Sequence, residues 1–283
     1  MPASPSSSVE AARRAVADRL REIRKDAGLT GNALAERAGW YKSKVSRLEN
    51  AVTPPSDDDI RQWCVACDAE GQAADLVAAA RSADNKYVEW RRVQRTGLRR
   101  LQESYVPLYE RTRVFRTYCC NVVPGVLQTH EYATALMRSI SQFHETPDDV
   151  AEAAEARLAR SASVVRKGDH RFALVLEESV LRHRVGDAET MAGQLGYLLS
   201  AMAFPSVSLG VIPSSVERRM WMIETFTVYD DEQAEVELLT ARVNVTAPTE
   251  VRQYLKAFGE FSRLAVYGAD ARALITSAVD ALE

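Results

Sequence analysis

GLTGNALAERAGWYKSKVSRLEN, residues 28–50, holds two short runs of helix-forming residues separated by a single glycine. Gly28 closes the helix before it, because glycine takes the backbone conformation that ends helices without steric cost. Thr30 stands at an N-cap position, and Leu34, Ala35 and Ala38 follow at helical spacing. Gly39 supplies a tight turn. A second short helix then covers about residues 41–50, with Val45 and Leu48 on one inward stripe. That stripe leaves Lys42, Ser43, Ser46 and Arg47 outward. AVTPPS, residues 51–56, stops the run, since the residue before a proline avoids helical angles.

Two short helices joined by a tight glycine turn are the sequence form of a helix-turn-helix. In that motif the second helix enters the DNA major groove with its N-terminal residues leading, while the first crosses the backbone. Lysine and arginine match the two acceptors on a guanine edge, and serine pairs with more than one base. Double-stranded DNA is therefore the expected partner. The stretch resembles the Cro/C1-type helix-turn-helix shared by phage repressors and the XRE family of bacterial regulators. That resemblance implies that Lys42, Ser43 and Arg47 meet base edges. It further implies that Thr30 and the backbone near Asn50 meet phosphate, with Lys44 and Ser46 as flanking contacts. Three positions depart from the family pattern. Gly31 replaces a glutamine that helps clamp phosphate and recognition helix together, Tyr41 replaces the serine N-cap, and Ala51 replaces the glycine after LEN. Loss of the N-cap alone costs on the order of 1 kcal/mol.

Working outward, residues 9–27 form a first helix with Val16, Leu20, Ile23 and Ala27 along one stripe, and residues 57–69 and 72–81 form two more. A helical domain over 9–83 follows, behind a disordered leader at 1–8. Cys64 and Cys67 share helical spacing with Ile60 and Trp63, so they read as small core thiols. The four histidines are scattered, and neither a metal site nor a cofactor is expected. Residues 84–116 read as a basic linker helix with Trp90, Val93, Leu101, Tyr105 and Leu108 near one face. Its opposite face carries Arg91, Arg92, Arg95, Arg99 and Arg100, which would receive an acidic partner, touch DNA or simply meet water. Gly97 weakens such a helix by roughly 1 kcal/mol.

Residues 117–283 mix types. Helical patterns at 148–165, 189–203, 248–267 and 270–282 are interspersed with strand-like RFALVLEES, VSLGVIP, MIETFTVYD and AEVELLT. The fold class is α+β, an N-terminal all-α helix-turn-helix domain followed by a larger regulatory domain with a small sheet flanked by helices. Trp221, Phe226, Tyr229 and Tyr197, with Met220 and Met222, are candidates for lining a small-molecule pocket, although the same spacing suits ordinary core. No catalytic residue is assigned: nucleophile elbow, P-loop, dinucleotide fingerprint and H-E-x-x-H are all lacking. His183 near Glu177 and Glu178 comes nearest, and Leu181–Arg184 reads instead as the start of a cationic helix.

VPGVLQTHEYATALM, LEESVLRHRVGDAETMAGQLGYLL and VSLGVIP resemble a C-terminal domain that follows this helix-turn-helix in many actinobacterial regulators, the WhiJ-like proteins among them. The resemblance implies a regulator of development or antibiotic production, often encoded beside a small acidic partner protein and likened to an antitoxin pairing.

The 283 residues allow about two ordinary domains. No apolar run approaches the roughly 20 residues that span a bilayer, and MPASPSSS lacks the features of a signal peptide. The expectation is a cytoplasmic protein, nucleoid-associated when bound to DNA, with no membrane contact. The net charge of −3 divides unevenly: ten basic against six acidic residues over 1–50, two against seven over 51–85, nine against three over 86–116, and fifteen against twenty-three beyond. Polyanion contact therefore belongs to the front of the chain. A homodimer follows from half-site geometry, because one such module makes few contacts. The runner-up is an antitoxin-like interaction module that sequesters a partner.

Overall fold

The structure, a computed structural model, describes residues 5–81, 87–90, 94–165 and 168–282. The chain forms two units, Met1–Tyr87 with Asn244–Val251, and Val88–Val243 with Arg252–Glu283.

In the first unit the helices are α1 (Pro5–Asp26), α2 (Gly31–Arg37), α3 (Lys42–Glu49), α4 (Asp57–Ala66) and α5 (Ala73–Arg81). The helix at the front reaches back into the segment expected to be a disordered leader. Proline suits the first turn of a helix, where its missing N–H has no intrahelical partner to lose. Helices α1 to α4 end alike. The residue after each cap has a positive φ, and a paired set of backbone bonds closes the turn, as in Ala51 N to Leu48 O (3.2 Å) with Val52 N to Arg47 O (2.9 Å). Gly28 and Gly39 occupy this position without strain, whereas Ala51 (φ 55°) and Asp68 (φ 54°) do not.

Leu20, Leu34, Leu48, Ile60 and Trp63 are fully buried at the centre of this unit. Each such side chain contributes roughly 1.5–3 kcal/mol of transfer free energy. Trp63 Nε1 donates to Leu20 O at 3.0 Å, which satisfies the one polar atom the indole brings inside. Ser56 and Asp59 form a reciprocal capping box at the start of α4. Cys64 and Cys67 are buried free thiols in this core, and burial, reinforced by Cys64, pushes Cys67 up to about 11.

In the second unit the expected linker helix is broken. β1 (Tyr87–Glu89) is followed by Trp90, a short 3-10 turn (Gln94–Thr96), α6 (Leu98–Ser104) and α7 (Val106–Arg111); Val93 lies outside the described residues. Gly97 takes φ 97°, outside helical space, and a Cβ there would collide with the Asp149 carboxylate. That carboxylate accepts from Leu98 N (2.8 Å) and Arg99 N (2.9 Å), so α6 has its own N-terminus. Pro107 suits only the first turn of α7.

The remaining strands are β2 (Val114–Cys119), β3 (Arg171–Glu177), β4 (Val207–Ile212), β5 (Phe226–Tyr229), β6 (Gln233–Glu237) and β7 (Ala241–Val245). They form a seven-stranded mixed sheet in the order β1-β7-β6-β5-β2-β3-β4. β2, β3 and β4 run parallel, with Phe115 opposite Phe172 and Leu174 opposite Leu209, while β2–β5 and β5–β6 are antiparallel. Parallel neighbours need long crossovers. α8 (His130–His144) and α9 (Val150–Val165) supply the first, α10 (Glu178–Arg182) and α11 (Ala188–Ala201) the second. Met191, Leu195 and Leu198 of α11 share a core with Ile275 of α13 (Gly268–Asp280) and with Phe115, Phe172 and Leu209 of the sheet. Elsewhere in this unit, Tyr118 stacks on Phe261 of α12 (Pro248–Leu264), with ring centroids 3.9 Å apart.

Candidate functional site

Thr30 Oγ1 accepts from Ala33 N at 3.2 Å and caps α2, as its position in the sequence implies. α3 buries Val45 and Leu48 and exposes Lys42, Ser43, Ser46 and Arg47. Among the described residues, the side chains of Lys42, Ser43 and Arg47 have no hydrogen-bond or ion-pair partner, whereas Ser46 Oγ accepts from Asn50 Nδ2 at 3.3 Å. Tyr41, the N-cap of α3, is 86% exposed and makes no side-chain cap bond.

Two of the flanking residues have internal work. Lys44 Nζ lies 2.5 Å from Asp59 Oδ1 and 4.1 Å from the centroid of the Trp40 ring, so its charge is turned toward α4. Burial pulls the Asp59 carboxyl upward, but hydrogen bonds from Lys44 and Ser56 outweigh it and hold the group below its ordinary range. Asn50 Nδ2 donates to Ser46 O at 2.7 Å and Asn50 Oδ1 accepts from Arg21 at 3.3 Å, which finishes the C-terminus of α3.

Glu49 and Arg24 carried no role in the sequence reading. Arg24 Nε and Nη2 reach the two Glu49 oxygens at 2.6 and 3.2 Å, and Arg24 Nη1 donates to Leu29 O at 2.7 Å. Arg21 also donates to Glu49 O. A bidentate guanidinium fixes direction as well as distance, so this pair sets the angle of α3 against α1. The signal available in the sequence was an acid inside the LEN motif and arginines in the last turns of the preceding long helix.

Of the arginines expected on one linker face, Arg91 and Arg92 lie outside the described residues. Arg95 is exposed on the 3-10 turn, while Arg99 and Arg100 are exposed on α6, with Arg99 Nε 2.8 Å from Glu103. The break at Gly97 divides them between two elements.

The second unit holds a cavity of about 530 Å³ among α6, α7, α8, α9, β2, β5 and β6. Phe226 and Tyr229 line it, as the sequence suggested. Trp221 and Tyr197 do not: Trp221 is 72% exposed between β4 and β5, and Tyr197 lies half-buried against the core from α11. Its polar lining comes from residues that carried no earlier assignment. Arg157 and Arg160 enter from α9, Gln102 from α6 and Glu235 from β6. The Arg160 guanidinium lies 4.5 Å from the Tyr109 ring centroid and 5.2 Å from that of Tyr105, and Tyr105 Oη donates to Glu235 Oε1 at 2.8 Å. Burial, with Arg242 opposing and Glu237 reinforcing, pushes Glu235 up to about 7; burial and the neighbouring Arg160 lower Arg157 to about 10.

The acids near His183 serve local structure. Glu177 is buried and accepts from Tyr118 Oη (2.7 Å) and Arg218, and Glu178 accepts from Ser214 N (2.8 Å) and Arg182. Cys119 lines the cavity as a thiol that burial raises far above the ordinary range, not as an activated nucleophile. Among the described residues no helix is long and apolar enough to cross a membrane.

A short helix pair with an open cationic second helix, ahead of a separate mixed α/β unit, defines a helix-turn-helix protein. A family model for a helix-turn-helix domain matches residues 15–77, which supports a DNA-binding regulator. Residues 102–277 match the domain of unknown function DUF5753, and with more than half of its length covered the chain belongs to that family. No curated protein and no solved structure matches it.

Proposed function

We propose that this protein is a sequence-specific transcription regulator that binds double-stranded DNA as a homodimer, with Lys42, Ser43 and Arg47 of α3 reading base edges. The observation that carries this reading is the open face of α3, where those three side chains lack partners among the described residues, beside Lys44 held by Asp59. In this reading Thr30 and the backbone near Asn50 supply the phosphate contacts flanking it. Two copies are needed because a single module buries little surface, and paired half-sites then follow the two-fold axis. The second unit acts as the receptor for a small-molecule effector, for which the cavity is the supporting observation. An acidic protein partner finds less support, because the described arginines proposed for it are divided between the 3-10 turn, with Arg95, and α6, with Arg99 and Arg100.

Fluorescence anisotropy with operator and scrambled duplexes tests the reading. Arg47→Ala should cost about 1–3 kcal/mol on the operator and relax preference at one base pair. Unchanged operator affinity and unchanged preference would remove α3 as the reading helix.

A further inference from the structure

Arg157 and Arg160 lie on the same α9 segment, and both line the cavity of the second unit. Their hydrogen bonds go to neutral acceptors. Arg157 Nη1 donates to Gln128 Oε1 at 2.6 Å and Nε to Gln102 Oε1 at 3.1 Å, while Arg160 Nη1 donates to Gln102 O at 2.8 Å. Among the described residues neither guanidinium forms an ion pair with a carboxylate. Glu235, the buried acid of the same cavity, is engaged by Arg242 at 3.6 Å instead. Arg160 is 5% exposed, and its Nε has no hydrogen-bond partner among the described residues.

A buried charge is normally paired, because removal from water is expensive unless an opposite charge or a full set of hydrogen bonds replaces the lost hydration. Here amide oxygens and two tyrosine faces replace only part of it. An anion on Arg157 and Arg160 would complete the set, and guanidinium groups suit carboxylate and phosphate geometry. Glu237 also lines the cavity, from an exposed position; it raises Arg157 at a distance without forming an ion pair among the described residues and so offsets only part of the cationic charge. Leu101, Tyr105, Tyr109, Phe226 and Tyr229 supply an apolar, largely aromatic wall. The volume of about 530 Å³ lies within the usual range for a small organic ligand.

We propose that the cavity receives a small aromatic molecule bearing one carboxylate or phosphate group, with the anion seated on Arg157 and Arg160 and the ring against the tyrosine wall. The proposal rests on the reading of the second unit as a small-molecule receptor; it is independent of DNA binding.

Isothermal titration calorimetry of the full chain with three probes that share one ring system provides the test: 2-naphthylacetate, 2-naphthyl phosphate and the neutral 2-naphthylacetamide. At least one anion should bind tenfold or more tightly than the amide. That advantage should fall below twofold in Arg157→Gln and Arg160→Met, while amide affinity is kept. Comparison of the three probes on the unsubstituted protein decides the matter even where Arg160→Met fails to fold. Equal binding of anion and amide would overturn the anion site and leave the small-molecule reading intact. An anion advantage that survives in a folded Arg157→Gln and a folded Arg160→Met would overturn the assigned residues. No binding of any probe at 1 mM would overturn both the site and the receptor reading.

Discussion

Ala51 follows the recognition helix at a position where backbone geometry favours glycine, so Ala51→Gly should stabilise the N-terminal unit. Its φ of 55° lies in the left-handed region, which costs an L-residue roughly 1–2 kcal/mol through crowding of Cβ against the carbonyl. Glycine loses that cost but adds unfolded-state entropy of about 0.5–1 kcal/mol. The balance favours glycine by about 0.5–1 kcal/mol. In a helical domain of this size that corresponds to a rise in melting temperature of about 2–8 °C. Ala51→Val should move the other way, since a β-branched residue is a genuine outlier there. The assay is amide hydrogen exchange of the full chain, read on peptides covering α3, because the closing bonds Ala51 N to Leu48 O and Val52 N to Arg47 O report this turn directly. Protection should rank glycine above alanine above valine. Equal protection in all three, or valine at the top, would refute the assignment of strain to this residue.

Tyr41→Ser should restore a side-chain cap to α3 and stabilise it by about 1 kcal/mol, read as a higher urea midpoint; Tyr41 is exposed and loses little packing. Glu49→Gln should destabilise the unit by about 2 kcal/mol, less than a fully buried pair would cost, because both partners keep some exposure. It should also weaken operator binding without altering base preference, since it tilts α3 rather than changing its reading face. Glu235→Gln addresses pH. The carboxyl in the folded protein sits near 7, above its ordinary value of 4.5, so its unpenalised contribution holds below about pH 4.5 and is lost as pH rises toward 7. Urea midpoints at pH 5 and pH 8 should therefore fall less between the two in the variant than in the parent, with Arg242, Glu237, Arg160 and Tyr105 unchanged around it. An identical fall would contradict the burial of an ionisable Glu235.

The front of the chain was legible because its signals are local. Glycines at 28 and 39, the Thr30 cap and the stripe of Val45 and Leu48 each act within a few residues, and they place α2 and α3 almost as expected. Lys44 was less legible. Asp59, which captures it, comes from the next helix, and only the packed structure brings the two together. The supposed linker helix failed at residues already visible. The apolar spacing of Trp90, Leu101, Tyr105 and Leu108 imitates a stripe, yet Gly97 and Pro107 divide the segment. β2 and β7 went unread because they interleave apolar with polar or charged residues, and because β2 is defined by partners β3 and β5 from far along the chain. Arg157 and Arg160 look like solvated residues on an alanine-rich helix. Only the placement of α9 against α6 and α7 buries Arg160 and half-buries Arg157.

DNA binding by the full chain is the most direct measurement: anisotropy on labelled duplex from upstream of its own gene against a scrambled duplex, over a salt series. The expected result is selective binding whose log affinity falls linearly with log salt, and which Lys42→Ala weakens with a loss of preference between the duplexes, as a side chain reading a base edge requires. Equal affinity for both duplexes at every salt concentration, unchanged by Lys42→Ala and Arg47→Ala, would contradict sequence reading by α3.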